Sequence, residues 1–245
     1  MTELTANSIS ELLDLAKRAE SQFKELLWFR GHADKSWQLV PSAHRKHPVL
    51  ESQFAQQFRL RAPAVAKCPD HGDYVSWLPL MRHYGLPTRL LDWTESLLVA
   101  TYFATALPDH DGVIWIISPG GLNKVTIGRF IPFMHDPRVL PLIAEAFGAK
   151  IGGEFSPYLA VFAPRSDPRM AAQLGNYTIH QARAPLDEQP EAANALIRIS
   201  IPGTAKAQLR NELGLLGIRT SSLFPDLATL ATEISELKVL DDTEV

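Results

Sequence analysis

Leu26-Leu27-Trp28-Phe29-Arg30-Gly31-His32 is a short apolar, aromatic run that ends in Arg-Gly-His. It reads as a strand followed by a turn. Upstream, Ser8 or Ser10 can cap a helix whose Ile9, Leu12, Leu13, Ala16 and Phe23 recur at helical spacing. Downstream, residues 33–48 read as polar loop. A helix is expected between Val49 and Val65, interrupted by Pro63, and another from Tyr74 to His83 with a kink at Pro79. Thr94 or Ser96 can cap the next helix, in which Leu97 to Ala104 is apolar nearly all round and so buried. Val113 to Ile117 is a continuous β-branched run and reads as a central strand. Gly120 to Gly153 shows only one short helix, at 138–147. Tyr158–Phe162, Tyr177–His180 and Leu196–Ile201 read as strands. A helix over Thr204–Leu213, capped by Gly214, and a last helix at 226–237 complete the chain. No repeat or long polar linker divides the pattern, so one α+β domain is expected.

Composition agrees with a soluble globular protein. Of 245 residues, 46% are apolar and 21% charged, which excludes disorder, collagen and coiled coil. The net charge of −3 argues against binding duplex DNA or anionic membrane by bulk charge, though a local basic site stays open. Cys68, the single cysteine, allows no intramolecular disulfide and fits a reducing cytoplasm. No apolar run reaches the ~18 residues of a membrane span, and no signal peptide is seen, so a cytoplasmic protein without membrane contact is expected.

Three stretches carry candidate chemistry. Arg30 at a strand end, followed by Gly31 and His32, could present a planar guanidinium to phosphate while the glycine lets a ligand or another backbone approach; from these residues alone an ordinary ion pair at a strand end is the simpler account. Arg82-His83-Tyr84-Gly85-Leu86-Pro87-Thr88-Arg89-Leu90-Leu91-Asp92-Trp93-Thr94 crowds polar side chains into what reads as a loop between apolar helices. His83 could donate to ribose or pyrophosphate, or act as general acid or base. Asp92 and Thr94 could equally cap the following helix, and Arg89 could pair with Asp92. Gln173, where a short helix runs toward the Tyr177 strand, could reach a cleft or satisfy backbone at the turn. His44 and His47 have no thiolate or carboxylate placed to complete a zinc site, so no metal is expected. Nucleophile elbows and Gly-rich phosphate loops are absent from the sequence.

Taken together, Phe29-Arg30-Gly31, Trp37-x-Leu39-x-Pro41-Ser42, His83 to Thr94, Val99 to Ala104, Gln173-x-Gly175 with Tyr177–His180, and Ser222 to Leu227 resemble the FRG domain family, a bacterial and phage-associated group. The resemblance spans about 25–235. With the first helix read above and the acidic end of the chain, the expected division is an N-terminal helix at 1–24, an FRG domain at 25–237 (core motifs 28–108, C-terminal part 109–237) and an acidic tail at 238–245.

The family's pattern looks like a remote version of the ADP-ribosyltransferase fold, a split, mostly antiparallel sheet flanked by helices around NAD. That likeness implies an NAD-using transferase or glycohydrolase, of the kind that serves as a toxin or phage-defence effector, with a protein or nucleic acid as acceptor. Arg30, with Gly31, His32, Tyr84, Arg89 and Thr94, would bind the nucleotide, and His83, Asp92 and Gln173 would serve the reacting ribose. Such enzymes use a third-strand glutamate. Gln173 lies nearest that place and is uncharged, so Asp92 or Glu154 would have to substitute, or the protein binds a nucleotide or nucleic acid without turning it over.

Overall fold

In a computed structural model of the chain, residues 4–46, 50–150, 157–165 and 167–236 are described. His47, Glu154 and the 238–245 tail lie outside them. The run that opens the reading is strand β2, Trp28–His32, and β1 is Leu4–Thr5. They are followed by β3 Leu90–Thr94, β4 Gly112–Ile117, β5 Tyr158–Val161, β6 Gly175–His180 and β7 Leu196–Ile201. The sheet order is β1-β7-β4-β2-β3-β6-β5, antiparallel except for the β1–β7 edge. The fold is therefore α+β, built on a single mostly antiparallel sheet.

Register divides this sheet into two halves. All five residues of β2 pair with β4, and all five of β3 pair with β6. Between β2 and β3 the register holds only Phe29 opposite Thr94. On one face, helices α1 (Ile9–Phe23), α5 (Leu97–Ala104) and α9 (Lys206–Leu215) bury Phe29, Ile114, Ile116 and Ile199. On the same face of the other half, α3 (Glu51–Arg61), α4 (Tyr74–His83) and α7 (Leu140–Ala146) bury Leu90, Leu159, Tyr177 and Ile179. The two helical layers leave the seam between β2 and β3 open. The opposite face buries Trp28, Leu91, Trp93, Val113 and Trp115 beneath Leu39, Leu186 and Leu122, the last on α6 (Pro119–Ile127). Short helices α2 (Ser42–Lys46), α8 (Pro168–Ala172) and α10 (Thr220–Leu223), with α11 (Leu227–Ser235), complete the described elements.

Several expectations need correction. Leu90–Thr94 is a strand, not loop: its apolar residues are buried on both faces, while Asp92 and Thr94 turn toward the seam. Helix α6 fills part of the segment expected to be mostly irregular. Ser118 caps it and Pro119 starts it, a start signal masked by the following Gly120-Gly121. Helix α9 runs through Gly214, and the left-handed glycine is Gly217, at φ 79°. Ser8 and Ser96 are the true caps of α1 and α5, each accepting a backbone N–H three residues on.

Candidate functional site

A cavity of about 490 Å³ opens at the seam. Its apolar wall includes Phe29, Trp37, Val99, Phe103 and Leu107; its polar wall includes Arg30, Arg82, His83, Asp92, Arg169 and Gln173. Strand alternation starts Arg30 on the face opposite Phe29 and Gly31, yet its guanidinium reaches across the seam. Nη1 donates to the Asp92 carbonyl at 2.6 Å and lies 3.6 Å from the Asp92 carboxylate. Burial lowers the Arg30 pKa to about 10, with Asp92 opposing the shift. The group stays cationic at neutral pH.

His32 fixes that reach. Its Nε2 accepts from Arg30 Nε at 3.0 Å, so Nδ1 carries the proton and donates to the Trp37 carbonyl at 3.1 Å. Burial and then the Arg30 charge hold its pKa at about 3. His32 is a neutral support for Arg30.

Asp92 is the carboxylate of the seam. Arg82 Nε donates to both its oxygens, at 3.2 and 3.0 Å, and Nη2 to Oδ2 at 2.5 Å. Burial pushes the Asp92 carboxyl up, but Arg82 and Arg30 outweigh it and hold the pKa at about 2. The cavity wall thus sets three arginines (Arg30, Arg82 and Arg169) against an ionised Asp92. Arg45 stands near enough to Arg82 to be depressed by it, after burial, and adds to the positive field.

The remaining candidates have mixed fates. His83 Nδ1 sits 3.3 Å from Asp167, whose carboxylate also caps α8 through the Met170 N–H. Thr94 Oγ1 donates to the Gln173 carbonyl at 2.6 Å and accepts from the Ser96 N–H. Gln173 Nε2 donates to the Leu223 carbonyl at 3.0 Å. Gly31 is on the cavity wall, but the neighbour that requires glycine is α5: a Cβ would lie 1.9 Å from the Ala100 carbonyl oxygen and 2.5 Å from the Ala104 nitrogen. Its absent side chain makes room for another backbone, not for a ligand.

Two candidates leave the site. Tyr84, 64% exposed, lies outside the cavity wall and packs against His83 and Phe58. Arg89 is also outside that wall. It donates to Glu51 at 2.9 Å, Glu145 at 2.6 Å and the Leu142 carbonyl at 3.3 Å, which commits its guanidinium to the core. Neither residue is placed to bind a nucleotide in this cleft. Conversely, Arg82 and Arg169 line it without having been singled out. Arg82 opens the 82–94 stretch and Arg169 stands four residues before Gln173, but nothing in residue type marks which arginine faces inward.

No group of three or more His, Cys, Asp or Glu that could hold a metal ion occurs among the described residues, and no helix among them is long and apolar enough to cross a membrane.

The cleft at the seam of this α+β sheet thus sets an arginine-rich wall beside an apolar one. Residues 25–112 match the family model of the FRG domain. The match takes in β2, β3, α4 and α5, and so Arg30, Arg82, His83 and Asp92. No curated protein matches the chain, and no solved structure does.

Proposed function

We propose that the cleft binds NAD and that the chain transfers its ADP-ribosyl group, as in the ADP-ribosyltransferases that the Phe29-Arg30-Gly31 strand resembles. The observation that carries this reading is the positive surplus of Arg30, Arg82 and Arg169 over Asp92 beside the apolar Val99–Phe103 wall, in a cavity of about 490 Å³. Guanidinium groups suit a diphosphate, and an apolar wall suits an aromatic base. In the reaction, the bond from ribose to the nicotinamide nitrogen breaks and its electron pair leaves with nicotinamide. A lone pair of the acceptor, protein, nucleic acid or water, closes on the cationic ribosyl carbon, and the acceptor's proton passes to solvent. Asp92, ionised at neutral pH and held by Arg82 and Arg30, is the lining carboxylate that would face that cation; His83 and Thr94 support the same wall.

The test is nicotinamide release from NAD. Wild type is expected to release it, while Arg30→Ala and Asp92→Asn are not. Equal release from Arg30→Ala contradicts the reading. A non-catalytic nucleotide-binding role is favoured by one observation. Asp92 is shared by two arginines, Glu95 is held by Arg165 and Asn176, and Asp167 faces His83. Saturable, Arg30-dependent binding without release would select that second reading.

A further inference from the structure

We propose that Arg169 is a second anion-binding arm of the cleft, that Phe224 positions it, and that the ligand therefore carries two phosphate groups rather than one. This rests on the nucleotide reading of the same site. Arg169 lines the cavity from α8. Among the described residues its guanidinium makes one hydrogen bond, a long one of 3.4 Å to the His83 carbonyl, and no ion pair within 4 Å, though the Asp226 carboxylate stands near enough to feel its charge. Its Cζ stands 4.5 Å from the centre of the Phe224 ring. A ring face beneath a guanidinium restrains it by a cation–π contact without consuming its N–H donors, which can then receive phosphate oxygens. Arg30 and Arg82 differ, because both are already engaged by Asp92.

Phe224 is held in turn. It meets Phe103 edge-on, with ring centres 6.2 Å apart at 81°. The preceding turn is tied to the cleft where Gln173 Nε2 donates to the Leu223 carbonyl, and Tyr102 bonds Thr220 at 2.9 Å. Beyond it, α11 buries no side chain. The orientation of Arg169 thus depends on a C-terminal segment that is docked at α10 and little buried after it. This gives Ser222–Leu227 a role toward the cleft. By linkage, a ligand gripped by Arg169 steadies α10 and α11 as α10 steadies Arg169.

Calorimetric titration with ADP and AMP, which differ by one phosphate, tests this. Wild type is expected to bind ADP about tenfold or more tighter than AMP, the size of one charge-assisted contact. In Arg169→Ala the ADP affinity falls to that of AMP while AMP is unchanged. Phe224→Leu loses roughly two- to tenfold for ADP alone, and Phe224→Tyr, which keeps the ring, restores it. ADP also slows amide exchange over 220–235 in wild type but not in Arg169→Ala. Equal losses for ADP and AMP in Arg169→Ala, or Phe224→Tyr behaving like Phe224→Leu, overturn the proposal while leaving nucleotide binding standing. Failure of wild type to bind either nucleotide removes both.

Discussion

Two ion clusters grow from the same stretch, 82–94, and have opposite compositions. At Arg89 one guanidinium, its side chain 10% exposed, sits between the carboxylates of Glu51 and Glu145. At Asp92 one carboxylate, its side chain 41% exposed, sits between the guanidinium groups of Arg82 and Arg30. The first is closed by α3 and α7 and carries surplus negative charge; the second opens onto a cavity and carries surplus positive charge. A buried network with its donors spoken for holds a fold together. A half-open cluster with cations to spare is suited to receive an anion. The difference lies in charge balance and access, not in residue type.

Each cluster can be broken separately. The largest effect is expected beside the open one, at Gly31→Ala, where the added methyl meets α5 backbone that cannot yield as a flexible side chain would. A loss above about 4 kcal/mol, seen as absence of soluble folded protein, is expected; a normally melting variant would contradict it. Next, Glu51→Gln replaces one of the two carboxylates on Arg89 by an amide, leaves Arg89 paired with Glu145, and should cost about 1–3 kcal/mol in denaturant melts, with ligand affinity unchanged in the folded protein. Arg30→Ala should do the reverse: stability within about 1 kcal/mol of wild type, but nucleotide binding weaker by about 10- to 100-fold.

The smallest effect concerns pH. The folded pKa of Asp92, about 2, lies below its ordinary value of 3.8, so the unfolded chain binds more protons in that interval. The Asp92 contribution is therefore present above about pH 4 and fades as pH falls toward 2. Because much of the carboxylate is exposed, the change is small, and Asp92→Asn should flatten that part of the acid limb of a melting-temperature profile.

Much of this contrast could not be read from sequence. Strand β2 was legible because Trp28 and Phe29 form an unbroken apolar run, and the helix at α5 because it is apolar all round. Strand β3 was not legible from local pattern: Asp92 and Thr94 interrupt Leu90, Leu91 and Trp93, and polar side chains aimed into a cleft look like loop. Arg30, His83, Asp92, Thr94 and Gln173, drawn from separate stretches, do meet at one cavity. Arg89 and Tyr84 do not, because their direction depends on partners such as Glu51, 38 residues away, which no local pattern announces. Arg169 was hidden for the same reason: the ring beneath it, Phe224, lies on the C-terminal segment.

Titrating NAD calorimetrically into wild type, Arg30→Ala and Glu51→Gln at neutral pH puts the contrast between the clusters to its most direct trial. Saturable binding by wild type and Glu51→Gln, with at least about tenfold loss in Arg30→Ala, is the result expected. No heat of binding from wild type, or equal affinity in Arg30→Ala, would contradict the assignment of the open cluster as the ligand site.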